Sequence, residues 1–170
     1  EGEYVVDSIC DNFPDLDKIK GIEYRSNGKK VSNETAPTLK NMDEYPSLRY
    51  DLLSNEYFFK QTGYLLTARG YPFRCHFCRT ADAEPEKYRS MSVEKIVIDI
   101  EYLVSNHNVK RVVLVDEFFL QDKKRVLEFC DHIKKLNIKW QCSCRADTFK
   151  EGDYPLLQKM KSAGCDRIVI

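Results

Sequence analysis

The sequence predicts an α/β fold: a parallel sheet of four βα units behind a small α+β region. Three observations carry that prediction. Val112 to Val115 is an apolar β-branched run, the pattern of a strand buried on both faces. Segments on either side of it carry apolar residues at helical spacing. Ile138, Trp140, Cys142 and Cys144 then alternate with Lys139, Gln141, Ser143 and Arg145, the period of two that marks a strand. Strand and helix alternating in this way build a parallel sheet through right-handed crossovers.

The chain opens with Glu1-Gly2-Glu3, and Val5, Val6, Ile9 and Cys10 follow at helical spacing over Tyr4 to Cys10. Leu16 to Ile22 ends in Lys-Gly. Ile22-Glu23-Tyr24-Arg25 then faces Lys29-Lys30-Val31-Ser32 across Ser26-Asn27-Gly28. Asn-Gly between two short extended runs predicts a β-hairpin. From Asn33 to Ser54 the chain has Pro37, Pro46 and no apolar period, which predicts a linker running along a surface.

Tyr64 to Thr67 reads as the first strand of the sheet. Val93, Ile96, Val97, Ile100, Leu103 and Val104 form the apolar stripe of a helix behind Ser92, a good cap, with Glu94 in the first turn. Asp122 caps the next helix, whose stripe is Val126, Leu127, Cys130, Ile133 and Leu136. A third helix spans about Tyr154 to Ala163, and Gly164 sits where a C-terminal glycine belongs. Cys165 to Ile170 starts the fourth strand. Its end, Ile168-Val169-Ile170, is an apolar edge of the kind that folds cover or charge, so the sheet is expected to continue in a longer protein.

Composition excludes several classes. Lys plus Arg and Asp plus Glu both number 27, so the balance carries no nucleic-acid footprint. No apolar run approaches the roughly 20 residues that span a bilayer. The chain has 7 cysteines at irregular spacing, an odd set that argues for reduced thiols and a cytoplasmic setting.

The stretch Thr67 to Thr80, Thr-Ala-Arg-Gly-Tyr-Pro-Phe-Arg-Cys-His-Phe-Cys-Arg-Thr, organises everything around it. It places Cys75 and Cys78 in a turn just past a strand end, a cradle for a thiophilic metal at the end of the sheet where βα proteins keep their sites. Zinc sites use Cys-x2-Cys as well, so spacing alone leaves the metal open.

The loop resembles the cluster loop of the radical S-adenosylmethionine (SAM) superfamily, Cys-x3-Cys-x-aromatic-Cys. Cys75, Phe77 and Cys78 match it, and Arg69-Gly70, Pro72-Phe73 and Arg74 match the subgroup that also binds cobalamin. The departure is Tyr71, which stands where the first cysteine of the pattern belongs. The resemblance implies a partial (β/α)6-type radical SAM barrel over residues 58–170. It implies that residues 1–57 are the end of a cobalamin-binding domain, a hairpin and a linker. The cofactors implied are a [4Fe-4S] cluster, SAM and, through an upstream domain, cobalamin. A small-molecule substrate and an electron donor such as flavodoxin or ferredoxin are implied as partners, and methyl transfer, rearrangement or cyclisation as the reaction.

The resemblance also assigns residues. Cys75 and Cys78 would ligate the cluster, with His76 at a variable position, and Phe77 would pack beside the SAM adenine. Three thiolates hold such a cluster and leave its fourth iron for SAM. A phenol at Tyr71 is a hard oxygen donor mismatched to that cluster, so weak or partial binding is expected. Asp116 and Glu117 end the second strand, where acidic groups need a ligand or solvent. The resemblance points them at the SAM amino group; simple helix capping is the plain alternative. Arg145 closes the third strand, suited to hold the SAM carboxylate in two parallel bonds or to pair with Asp147. Cys142 and Cys144 read as barrel lining. Two other readings stay open: a scaffold that binds a partner or nucleotide without radical chemistry, and a small zinc module.

Overall fold

A computed structural model describes residues 2–53, 61–73, 75, 76 and 88–170. The chain forms two compact units, residues 1–40 and 41–170. The second begins well before the 57/58 boundary expected from the sequence.

In the first unit, helix α1 (Glu3–Asn12) precedes strands β1 (Glu23–Ser26) and β2 (Lys29–Ser32), which pair antiparallel as predicted. Asn27 and Gly28 both take positive φ, 50° and 77°, the turn that suits a two-residue hairpin loop. Asn33 closes the unit by donating from Nδ2 to the carbonyls of Leu16 and Ile19, at 2.7 Å each.

Residues 41–53, expected to be a surface linker, are instead built into the second unit. Met42 and Tyr50 are buried in its core. Asp43 accepts from the Ser92 amide at 2.7 Å, and Ser47 donates to Asp99 at 2.6 Å. The apolar residues of this stretch lack a period because each inserts singly into a surface made by other elements.

The sheet of the second unit has the order β3 (Thr62–Leu65), β6 (Arg111–Leu114), β7 (Lys139–Ser143), β8 (Cys165–Val169), all parallel. Two short strands, β4 (Ala68–Arg69) and β5 (Arg89–Ser90), pair antiparallel beside it. Helices α2 (Val93–His107), α3 (Lys123–Ile133) and α4 (Tyr154–Ser162) make the crossovers. The predicted caps form: Ser92 accepts from the Lys95 amide at 3.2 Å, and Asp122 from the amides of Lys124 and Arg125 at 2.9 and 3.2 Å.

The first strand starts and ends two residues earlier than predicted. Thr67 leaves the ladder because its amide is drawn to Asp116, and the chain turns there into β4. Strand β6 is not buried on both faces: Val112 and Leu114 are buried, whereas Arg111 and Val113 are half-buried and Val115, just past the strand, is 45 % exposed. The helices cover the face that carries Trp140, which meets Phe129 and Phe119 edge-on at 5.1 and 5.9 Å. Cys142 and Cys144 share that face and are part of the packed core rather than a lining. In α3 the side chain missed by the predicted stripe is Phe129, fully buried, while Leu127 and Leu136 are only half-buried.

Gly164 (φ +97°) joins α4 to β8. A Cβ there would lie 2.3 Å from the Ile138 carbonyl oxygen, so only glycine fits. Among the described residues no helix is long and apolar enough to cross a membrane.

Candidate functional site

The carboxyl ends of parallel strands lie along one edge of a sheet, and three of them feed the residues singled out above. The loop after β3 carries Tyr71, Phe73 and Cys75. The turn after β6 carries Asp116, Glu117 and Phe118, and the turn after β7 carries Arg145 and Asp147.

Arg145 ties the third of these turns to the first. Its Nη1 donates to Cys75 Sγ at 3.3 Å, and its guanidinium carbon lies 4.0 Å from the Phe73 ring centroid. A single side chain thus touches the loop at two residues, Phe73 and Cys75. Nε and Nη2 form a fork onto Asp147 at 2.8 and 2.6 Å. That carboxylate raises the guanidinium further above its ordinary value. The pair with Asp147, one of the two roles the sequence offered Arg145, is formed.

Tyr71 is half-buried against the core. Its ring meets Phe73 at 5.5 Å and Phe118 at 6.4 Å, both edge-on. Phe73 and Phe118 lie 5.7 Å apart. This aromatic set joins the loop to the end of β6.

Asp116 is engaged inside the protein, at the root of the loop. It is 1 % exposed, and its oxygens accept from the Thr67 amide at 2.5 Å, the Ala68 amide at 3.0 Å and the Thr67 hydroxyl. Burial raises its carboxyl above the ordinary value while those bonds pull the other way. The carboxyl group is engaged by the loop, with three donors on its two oxygens. Glu117, by contrast, is exposed.

Arg125 is a residue that sequence reasoning missed. It sits on α3, 7 % exposed, and donates from Nη2 to the Thr67 carbonyl and hydroxyl at 3.0 and 2.9 Å. Its Nε donates to the Met91 carbonyl at 3.1 Å. A basic residue one turn into a helix, among Lys123 and Lys124, gives no signal of burial.

Phe77 and Cys78 lie outside the described residues. Among the described residues no group of three or more His, Cys, Asp or Glu side chains is placed to hold a metal ion. Cys75 is the loop's described thiol, and Tyr71, four residues before it, packs against Phe73 and Phe118. The loop carries two thiols in sequence, Cys75 and Cys78. Burial pushes the Cys130 thiol up to about 12 and raises that of Cys144. Cys142 is raised chiefly by its bond with Cys165, then by burial.

No family model matches the chain. Curated relatives do. An uncharacterized methyltransferase of Pyrococcus horikoshii is 31 % identical over 176 residues, covering 99 % of this chain and 38 % of the relative. The anaerobic magnesium-protoporphyrin IX monomethyl ester cyclase of Cereibacter sphaeroides is 29 % identical over 178 residues, covering 96 % of this chain and 29 % of the relative. Among solved structures, OxsB, a cobalamin-dependent SAM radical enzyme, superposes with a TM-score of 0.74 at 28 % identity, over 99 % of this chain and 26 % of that one. The chain is a relative of the cobalamin-dependent radical SAM enzymes.

A second solved structure, TsrM from Kitasatospora setae, superposes with a TM-score of 0.73 over 98 % of this chain and 35 % of its own. At 15 % identity it speaks for the fold alone. The four-stranded parallel sheet is therefore part of a radical SAM barrel, and the relatives that share it are enzymes. This chain spans 38 % of the Pyrococcus methyltransferase and 29 % of the Cereibacter cyclase.

Proposed function

We propose that this chain is the junction and first four βα units of a cobalamin-assisted radical SAM enzyme whose cluster loop, as it stands, lacks one ligand. The observation that carries the reading is the loop itself. It leaves the carboxyl end of the first barrel strand, carries Cys75 and Cys78, and is held by Arg145 from the third strand end with Tyr71 at the remaining ligand position. The relatives' chemistry supports SAM and a [4Fe-4S] cluster as cofactors, cobalamin through a neighbouring domain, and methyl transfer or rearrangement and cyclisation of a small molecule as the reaction. A one-electron donor of the flavodoxin or ferredoxin type completes the set.

Within that reading Cys75 and Cys78 are the soft ligands, Phe77 flanks the SAM adenine and Glu117 takes its amino group. Arg145 holds the ligand loop and lies close enough to it to meet the SAM carboxylate. Two thiolates hold fewer irons than three, and the phenol of Tyr71 is a poor replacement. The chain with Tyr71 therefore binds cluster weakly and is catalytically inactive.

Anaerobic reconstitution with iron and sulfide tests this. Substoichiometric iron, well under four per chain, is expected, with weak thiolate-to-iron absorbance. A full cluster in the native chain would sink the part of the reading that rests on Tyr71.

A second reading is favoured by the packing of Tyr71 against Phe73 and Phe118. These contacts close the loop without metal, as a scaffold retained for binding would need. Metal analysis separates the readings: traces of iron fit the first, none at all the second, and zinc near one equivalent a structural zinc module.

A further inference from the structure

We infer that Asp116 and Arg125 are positioning residues that fix the ligand loop at its root, acting together through Thr67. Thr67 is fully buried at the point where the chain leaves β3. Every polar group it carries is used. Its amide and hydroxyl donate to Asp116, its hydroxyl also accepts from Arg125 Nη2, and its carbonyl accepts from Arg125 and from the Met91 amide at 2.9 Å.

Two opposite charges thus meet on one hydroxyl, both out of water. The arrangement has a specific consequence. Asp116 comes from the end of β6, Arg125 from the first turn of α3, and Met91 from the stretch before α2, so Thr67 is located by three separate elements. Ala68, the first residue of β4, is held by the same carboxylate. Tyr71 follows Thr67 by four residues and Cys75 by eight, so the direction in which the loop sets out is decided here. Two buried charges that serve no catalytic step are costly to keep and persist where breaking the set leaves a charge uncompensated.

This assigns Asp116 a role different from ligand contact. It also places part of the site's precision on Arg125, whose guanidinium reaches Thr67 and Met91 at once. Lysine has the charge but not the planar fork needed for both. The inference does not require that the loop hold a cluster.

The test compares Arg125→Lys, Arg125→Met, Thr67→Val and Thr67→Ser in the intact protein. Hydrogen exchange is followed by mass spectrometry in the peptide covering residues 67–76 and in peptides from β6 and β7. In Arg125→Met and Thr67→Val, exchange in 67–76 should rise by about tenfold or more while β6 and β7 stay near the parent values. Thr67→Ser, which keeps the hydroxyl, should behave as the parent, and Arg125→Lys should fall between. The same substitutions on a Tyr71→Cys background should lower iron per chain and broaden the cluster's spin-resonance spectrum, again with rescue by serine.

Unchanged exchange in 67–76, or an equal rise in all peptides, would overturn the inference and leave only a general stabilising role. Iron absent from every Tyr71→Cys chain would overturn the cluster reading instead, and the exchange pattern then decides the positioning role by itself. Should Thr67→Val fail to fold, Arg125→Lys against Arg125→Met gives the same comparison.

Discussion

Arg145 Nη1 lies 3.3 Å from the sulfur of Cys75, a hydrogen bond between residues 70 positions apart. Hydrogen bonds to the sulfurs are among the factors that set an iron–sulfur potential. In a Tyr71→Cys chain carrying a cluster, Arg145→Met should therefore lower the midpoint potential by on the order of 60 mV, a tenfold change for a one-electron couple. Redox titration followed by spin resonance reads it. An unmoved potential with lost SAM affinity would assign Arg145 to the SAM carboxylate.

The acidic pair after β6 should divide its labour. With both changes made in a Tyr71→Cys chain carrying a cluster, Glu117→Gln is expected to weaken SAM binding with iron content intact, because Glu117 is exposed at the strand end. Asp116→Asn should instead lower iron content, because it loosens Thr67 and Ala68. Calorimetry with SAM and iron analysis on the same samples distinguish the two. Reduced SAM affinity with full iron in Asp116→Asn would return Asp116 to the ligand.

Asp116 also predicts a pH dependence. Burial holds its folded pKa above the unfolded value, so the folded state keeps the proton more tightly than the unfolded chain. Stability relative to Asp116→Asn should fall as pH rises from about 4, and level off once the folded group has ionised. Urea unfolding of both proteins across that range checks the sign. A difference that grows with pH would mean that the hydrogen bonds outweigh burial.

Gly164→Ala should destabilise the fold by more than about 1 kcal/mol, since alanine strains at positive φ and its Cβ meets the Ile138 carbonyl. The decisive comparison is with Gly152→Ala, also at positive φ (98°) but with open space around it. Equal losses at the two positions would show that the close approach is unimportant.

What the sequence made legible, and what it did not, follows from locality. The sheet, its helices, their caps and the Asn27-Gly28 hairpin are written in period and turn chemistry, which act within a few residues. The second unit's early start at residue 41 was hidden because Met42, Tyr50 and Asp43 are isolated side chains whose partners lie far along the chain. The site divides in the same way. The loop motif and the strand-end residues could be read, whereas the Asp116–Thr67–Arg125 set depends on contacts 49 and 58 residues apart. Arg125 in particular looks like one more solvated cation beside Lys123 and Lys124, and only tertiary packing shows otherwise. Phe77 and Cys78 were named from the motif and lie outside the described residues.

The central claim is that Tyr71 is what separates this loop from a complete cluster site. Iron and sulfide per chain after anaerobic reconstitution, measured for the native protein and for Tyr71→Cys, tests it most directly. Substoichiometric iron in the native chain should become close to four in Tyr71→Cys, with a reduced-state spin-resonance spectrum that changes on adding SAM. Cys75→Ala on that background should remove it again. A native chain that already carries a full, SAM-responsive cluster would contradict the claim, as would a Tyr71→Cys chain that folds and binds no more iron than its parent.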